Sequence, residues 1–142
     1  MKKIFISIML ATCIAFSGQA QKARNFYNAL GSTLLVSDTV TNTATGFVQV
    51  DASLESGNVS SVQFIATKIS GLVAGTIAIH GSNDGVDYAS ISSTTFTATD
   101  VATQGGIWQF TGSPVRYYRI TWTGAGTMAA TIKGTIWTNQ AQ

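Results

Sequence analysis

The fold is decided by residues 81–122, which read GSNDGVDYASISSTTFTATDVATQGGIWQFTGSPVRYYRITW. A tight Asp-Gly turn comes first, stretches rich in Ser and Thr follow, and the segment ends in a run crowded with aromatic and guanidinium groups. An Asp-Gly pair between extended runs is a strong hairpin signal, and aromatic and arginine side chains dominate protein interfaces. The segment therefore predicts β-hairpins and a surface suited to binding or assembly rather than to reaction.

The turn at Asn83, Asp84 and Gly85 has two interpretations. A type I′ turn needs residues that tolerate positive φ, which these three residue types do. Together with Asp87 the turn could also offer carboxylates to a cation, but it lacks the ligand spacing and terminal Glu of a calcium loop. The sequence therefore predicts a structural turn and no metal site.

The first 20 residues have the three regions of a secretory signal peptide. Lys2 and Lys3 precede an apolar run at 4–16, and small residues lead to Ala20, after which we expect cleavage. The apolar run is too short to cross a bilayer, which takes roughly 20 residues. In an alternative interpretation, residues 10–13 form a lipoprotein signal and Cys13 is lipidated. The sequence thus predicts an exported protein that is extracellular, on a cell surface or on a virion.

The charge and cysteine content of the processed chain differ from those of the full sequence. Cleavage takes 20 of the 142 residues, which leaves 122, enough for one domain. It also removes Cys13, the single cysteine, so the processed chain can form no internal disulfide. Without Lys2 and Lys3, six Lys and Arg face six Asp and Glu, a net charge of zero. We therefore expect no nucleic-acid partner and no membrane span in the processed chain.

Period-two alternation in a Thr, Ser, Gly and Val background dominates the chain after residue 45 and predicts an all-β fold. The expected strands lie at 46–54, 59–69, 75–80, 86–92, 94–99, 107–111, 115–123 and 127–137. Eight short strands separated by Gly-rich turns favour a single antiparallel two-sheet β-sandwich of immunoglobulin-like or jelly-roll type. The predicted organisation is a signal peptide at 1–20, an N-terminal arm and loop at 21–45, and a β-sandwich domain at 46–142.

The segment at 21–37 is ambiguous. Phe26, Tyr27 and Leu30 stand at partly helical spacing, and the segment could be a short helix, an arm packed on a neighbour or the first strand. The stretch at 37–45 is rich in Thr, Asn and Asp, which predicts a loop.

Individual strands indicate which side chains face inward. Tyr118, Ile120 and Trp122 alternate with polar or amphipathic neighbours, so one face of this strand should be buried. The last strand has the same pattern. Around Phe64 and Ile65, in contrast, both faces carry apolar groups, so this strand should be central, or its second face should be covered by a partner.

Four residues separate Gly75-Thr76 from the GSNDG run at 81–85, and an RYYR run follows at 116–119. These runs resemble the "GT-x-x-x-x-GSNDG" and "RYxR" motifs of the small accessory structural proteins of tailed-phage virions, of decoration or fibre type. A related hairpin and R-Y-x-R strand also occur in discoidin-like galactose-binding jelly rolls. The first resemblance implies a structural role in a virion, and the second implies a glycan ligand.

Few residues offer chemistry. His80 is the single histidine and has no Cys, Glu or second His near it in the sequence, and Glu55 is the single glutamate. No G-x-S-x-G nucleophile motif occurs, and paired glycosidase carboxylates would have to come from scattered aspartates. The sequence therefore predicts a protein that is not an enzyme and needs no cofactor.

The candidate binding or interface residues are aromatic or basic. We expect Trp108 and Trp122 to contribute to the core because of the area each buries, and Trp137 to be exposed near the end of the chain. Arg119 should share a face with Tyr117 and stack near it. The full candidate set is Phe26, Tyr27, Trp108, Arg116, Tyr117, Arg119 and Trp137.

Two functions from different classes fit these observations. The first is a non-enzymatic exported structural protein that assembles with itself, or with other virion or surface proteins. The low charge and the Thr, Ser and Gly content favour it. The second is a secreted carbohydrate- or ligand-binding β-sandwich module of a bacterial envelope, with Trp and Tyr as a stacking platform.

Overall fold

A computed structural model describes residues 21–25, 27–28, 37–52, 58–92, 95–111 and 115–139. These residues form eleven strands and contain no α-helix. The strands are β1 (Gln21–Asn25), β2 (Tyr27–Asn28), β3 (Ser37–Thr41), β4 (Thr45–Asp51), β5 (Asn58–Gly71), β6 (Gly75–Ser82), β7 (Ala89–Ser90), β8 (Phe96–Ala98), β9 (Thr103–Gln109), β10 (Tyr117–Gly124) and β11 (Met128–Asn139).

The strands form two antiparallel sheets packed face to face. Sheet I has the order β1-β11-β5-β9, and β3 also pairs with β11. Sheet II has the order β2-β4-β10-β6-β7, and β8 also pairs with β6. The predicted all-β two-sheet sandwich is confirmed. The signal peptide predicted at 1–20 lies outside the described residues.

The core lies between the two sheets and follows the expected alternation. Tyr118, Ile120 and Trp122 of β10 are fully buried, and Ile132 and Ile136 of β11 oppose them from sheet I. Because successive side chains of a strand point to opposite faces, the polar neighbours of these residues face outward. The predicted inward faces of both strands are therefore confirmed.

Strand β5 is central in sheet I, between β11 and β9. Its inward residues Val62, Phe64 and Ala66 are buried, whereas Ile65 on the other face is 42% exposed. Of the two predicted explanations for apolar groups on both faces, central placement is confirmed. The outer face nevertheless keeps an exposed isoleucine.

The loop predicted at 37–45 is wrong in its first half, because Ser37–Thr41 forms β3 and pairs with β11. Val40 is fully buried, and the carboxylate of Asp38 accepts the amides of Thr39 and Phe47 at 2.9 and 2.8 Å. Asn42 then takes φ 54° in the turn to β4. The Thr and Asp residues resemble a loop in composition, but β-branched threonines around a buried valine suit a strand.

Two further strand predictions need correction. The strand expected at 86–92 is shorter and covers Ala89–Ser90. The amides of Val86 and Asp87 donate to the Asp84 carboxylate instead of to a neighbouring strand. The strand expected at 107–111 is β9, which begins earlier, at Thr103. Of the alternatives for 21–37, the strand holds for 21–25 and 27–28, and Phe26 and Leu30 lie outside the described residues.

Nowhere in the described chain is there a helix with the length and apolar content that a bilayer crossing needs.

Candidate functional site

The outer face of sheet II carries a cluster that we call the arginine face, formed by Phe47, Gln49, His80, Tyr88 and Arg119. Register explains the assembly: Arg119 of β10 lies opposite Gln49 of β4 on one side and His80 of β6 on the other. All three side chains point outward because their strand neighbours are buried in the core. Three neighbouring strands thus place a cation, an amide and an imidazole side by side.

The guanidinium of Arg119 is held by stacking and by hydrogen bonds. Its central carbon lies 3.5 Å from the Tyr88 ring centroid and 4.2 Å from that of Phe47. Its Nε and Nη2 donate to Gln49 Oε1 at 3.2 and 2.9 Å, and the Tyr88 hydroxyl donates to the same oxygen at 3.4 Å. A cation over aromatic rings is attracted by their quadrupoles. The guanidinium is therefore fixed in orientation by its neighbours.

His80 completes the arginine face, and its surroundings favour the neutral form of its imidazole. Its Nδ1 lies 3.2 Å from the Thr121 hydroxyl oxygen. Burial, and secondly the positive charge of Arg119, lower the pKa of His80 below its ordinary value of 6.5. A neutral imidazole can donate from one nitrogen and accept at the other, so this position offers a polar contact without charge.

Arg116 and Tyr117 flank the arginine face. The Arg116 guanidinium carbon lies 5.0 Å from the Tyr117 ring centroid, and its Nε lies 3.6 Å from an Asp51 carboxylate oxygen. The Arg116 side chain is 52% exposed, so this ion pair contributes little stability. Gly85 packs under the Tyr117 ring, where an added Cβ would lie 3.2 Å from Cζ.

The turn at Asn83, Asp84 and Gly85 is structural but is not of type I′. Gly85 has φ 78°, as predicted, whereas neither Asn83 nor Asp84 takes a positive φ. Ser82 Oγ accepts the Gly85 amide at 2.9 Å and donates to Asp84 Oδ1 at 2.6 Å. The type I′ prediction is wrong because this side-chain hydroxyl, rather than a mirror-image backbone, closes the turn.

The Asp84 carboxylate is occupied within its own turn. Its Oδ1 accepts the amides of Val86 and Asp87 at 2.9 Å each. The Ser82 hydroxyl, followed by these two amides, lowers the pKa of Asp84 to about 2. Among the described residues no group of three His, Cys, Asp or Glu side chains could hold a metal ion.

The predicted site residues fall in separate places. Arg116, Tyr117 and Arg119 share the outer face of sheet II, Trp108 is 8% exposed in the core, and Trp137 is 38% exposed on sheet I. Core placement of Trp108 and exposure of Trp137 are confirmed. Phe26 lies outside the described residues. For Tyr27 the structure describes the strand, in which it pairs with Gln49.

Sequence reasoning missed three members of the arginine face, namely Phe47, Gln49 and Tyr88. Phe47 and Gln49 alternate with Val48 and Val50, which marks them as outward residues of one strand. No local signal shows that their strand lies beside β10, because that pairing joins residues about 70 positions apart in the chain. Tyr88 follows the turn, and its position depends on how that turn closes.

An aromatic cleft lies between edge strand β9 of sheet I and β8 of sheet II. The Phe64 ring centroid lies 5.2 Å from Trp108 and 5.0 Å from Phe96. The cavity beside these rings has a volume of about 250 Å³, and Ser92, Thr95 and Gln109 add polar groups to its lining.

The outer face of sheet I carries a second surface, which we call the apolar–threonine face. Ile65, Ile107 and Trp137 lie on three adjacent strands and are 42%, 61% and 38% exposed. Threonines and glutamines of β5, β9 and β11 lie between them. This face extends along β11 from Thr131 to Trp137 and includes the residues of β5 and β9 in the same rows. Among its outward side chains that the structure describes, Lys133 alone carries a charge.

Comparison with known proteins yields structural neighbours alone. No protein-family model matches the chain, and no curated protein matches it. A subunit of the Bacillus endospore appendages, a family of disulfide-linked pili, is similar at 12% identity and TM-score 0.50, over 92% of this chain and 97% of that chain.

Two other solved structures are similar at lower TM-scores. The C-terminal family 22 carbohydrate binding module of a Clostridium thermocellum protein has 16% identity and TM-score 0.47, over 90% of each chain. The enzymatically active domain of bacteriophage CBA120 tailspike protein 4 has 11% identity and TM-score 0.49, over 84% of this chain and 18% of that chain. At such identities the likeness is one of fold alone.

Proposed function

We propose that this chain is a non-enzymatic, exported structural module that works by associating with copies of itself on a virion or extracellular surface. The observation that carries the proposal is the apolar–threonine face. It places Ile65, Ile107 and Trp137 in water on neighbouring strands of a single sheet. A sheet face with several exposed apolar groups marks an interaction site more often than a single exposed residue does.

The composition of this face suits a second copy of the same chain. Ile107 of β9, Gln63 of β5 and Thr135 of β11 form one row across the sheet, with Lys133 and Ile65 in a nearby row. With one cation and no acid among these outward residues, two copies meet little like-charge repulsion. Uncharged, apolar centres are typical of interfaces between identical subunits.

The state of the titratable groups supports a role without catalysis. Asp84 is engaged by its own turn, and Asp100 accepts from Lys68 Nζ and from the Val73 amide at 2.8 Å each. The Lys68 ammonium, followed by that amide, lowers the pKa of Asp100. The hydroxyl of Thr121 lies beside the imidazole of His80. A histidine that acts as a general base needs a reacting proton within reach and a second group that orients its ring.

Light scattering and negative-stain imaging of the processed chain, recovered after export, test this proposal. We expect a mass that is a whole-number multiple of the monomer, and regular particles or filaments. Trp137→Ala should weaken association about tenfold, as truncation of an interface tryptophan often does. Val86→Ala is the matched control, because Val86 is exposed and apolar but lies in the turn between β6 and β7 of sheet II, away from the apolar–threonine face. A monomer at every concentration would reject self-association.

The arginine face supports a second candidate function, that of a ligand-binding module. Its oriented guanidinium, neutral imidazole, amide and phenol offer the hydrogen-bonding groups that fix a polyhydroxyl ligand such as a glycan. A glycan array probed with the processed chain tests this function. Binding that is lost in Arg119→Lys and kept in Arg116→Lys would favour it, especially if the protein is a monomer.

A further inference from the structure

Strand β9 is an edge strand without the usual protection. In the described part of the chain it pairs with β5 on one side, and no strand pairs with its other side. Its sequence, TQGGIWQ, contains no Lys, no Pro and no charge, although these are the features by which proteins protect sheet edges against further pairing. As far as the described residues go, the edge is therefore open to pairing with another strand.

Two backbone hydrogen bonds fix which amides of β9 point away from the sheet. Phe110 N donates to Ser60 O at 2.9 Å, and Lys68 N donates to Ala102 O at 2.9 Å. In an antiparallel ladder such bonds recur at every second residue, so the even-numbered residues between these two positions face β5. The amides that point to the open edge belong to Thr103, Gly105, Ile107 and Gln109.

We infer that β9 pairs antiparallel with β9 of a second copy, about a two-fold axis at Gly106, so that sheet I continues across a dimer. Pairing about this midpoint places Thr103 opposite Gln109 and Gly105 opposite Ile107. All four residues point their amide and carbonyl groups to the edge, so each outward group meets an outward partner. The inference rests on the proposed self-association and adds a contact between copies through the edge of β9, beside the one through the apolar–threonine face.

The side chains of β9 also suit this pairing. Ile107, 61% exposed, lies opposite the partner copy's glycine at position 105, where no side chain competes for space. Gly106, on the axis, has no side chain of its own to meet the glycine of the other copy, and a Cβ there would lie 2.7 Å from the Phe64 ring. The aromatic cleft with Trp108 on its wall lies along the same edge, and a second copy there would cover it.

A charge-swap experiment tests this interface. In the inferred dimer the two side chains at position 107 are diagonal neighbours, about 7–8 Å apart. Ile107→Lys or Ile107→Glu alone should weaken the dimer about tenfold or more, because like charges then face each other across the axis. An equimolar mixture of the two variants should restore association in sedimentation velocity. Leu72→Lys is the matched control, because it puts the same charge in place of an apolar side chain that is 70% exposed and lies outside both β9 and the apolar–threonine face.

The outcomes separate the interface from the function. A wild-type chain that stays monomeric at its highest soluble concentration overturns both. A wild-type oligomer that survives both Ile107 variants, or that Leu72→Lys dissolves equally, overturns the edge interface and leaves self-association standing. Circular dichroism and melting confirm folding of each variant, and Thr103→Lys, at the other end of the edge, is a second disrupting change that should weaken the dimer.

Discussion

The guanidinium carbon of Arg119 lies 3.5 Å from the centroid of the Tyr88 ring. Arg119 belongs to β10 in the middle of sheet II, whereas Tyr88 follows the turn that ends β6. The contact therefore fastens the segment after the turn onto the sheet. Phe47 on the other neighbouring strand contacts the same guanidinium at 4.2 Å, so one arginine joins three segments.

Replacing Arg119 with Lys should lower the free energy of unfolding by about 1–2 kcal/mol. Lysine keeps the charge but loses the planar fork that stacks on the rings and donates twice to Gln49. Urea unfolding measures the change. Arg116→Lys is the control: its side chain is half exposed, so its effect should stay below about 0.5 kcal/mol. Equal effects of the two substitutions would show that the stacking of Arg119 is unimportant.

The pKa of His80 should lie below its ordinary value of 6.5, because burial and then the charge of Arg119 disfavour the imidazolium. The unfolded chain therefore binds a proton at this imidazole more readily than the folded chain does. The contribution of His80 to the free energy of unfolding is complete above pH 6.5 and is lost as the pH falls through the folded pKa. An NMR titration of the single imidazole measures this value. Arg119→Gln should raise it. A wild-type midpoint at or above 6.5 would contradict the described burial.

Gly85→Val should lower the free energy of unfolding by about 1 kcal/mol or more, because a β-branched residue is strained at φ 78°. Gly126→Val is a matched control: φ is 72° there, but a Cβ meets nothing within 4 Å, whereas at Gly85 it meets the Tyr117 ring. The Gly85 substitution should thus cost more. A chelator should leave the melting temperature unchanged, since the Asp84 carboxylate is held by backbone amides. Chelator-sensitive melting would reinstate a cation.

The sequence predicted what local alternation can determine. The inward faces of β10 and β11 follow from the spacing of Ile120, Trp122 and Ile132, and the exposure of Trp137 follows from its place opposite them. The loop prediction at 37–45, which rested on composition, was wrong for Ser37–Thr41. This Thr- and Asp-rich segment forms a strand in which Val40 is buried.

The arginine face could not be predicted, because it depends on which strands become neighbours. Gln49 meets Arg119 through the pairing of β4 with β10, and nothing within either strand specifies that pairing. The turn type was missed for a related reason. Residue preferences at Asn83 and Asp84 suggest positive φ, but the hydroxyl of Ser82, one residue earlier, closes the turn in another way.

Export predicts that the processed protein begins at Gln21, because the small residues before it fit the cleavage rule for secretory signals. Intact-mass measurement of the exported protein tests this directly. A mass that includes Met1 would show that the signal is retained, and a diacylglycerol on Cys13 would show that the chain is a lipoprotein.

Hydrogen exchange of the processed chain at low and high protein concentration tests self-association most directly. The account predicts that exchange of the outward amides of Thr103, Ile107 and Gln109 slows as concentration rises, because a second copy then accepts from them. The Trp108 amide, which faces β5, should exchange slowly at both concentrations. Exchange that is independent of concentration along the whole chain would contradict the account, because it would describe a protein that remains alone.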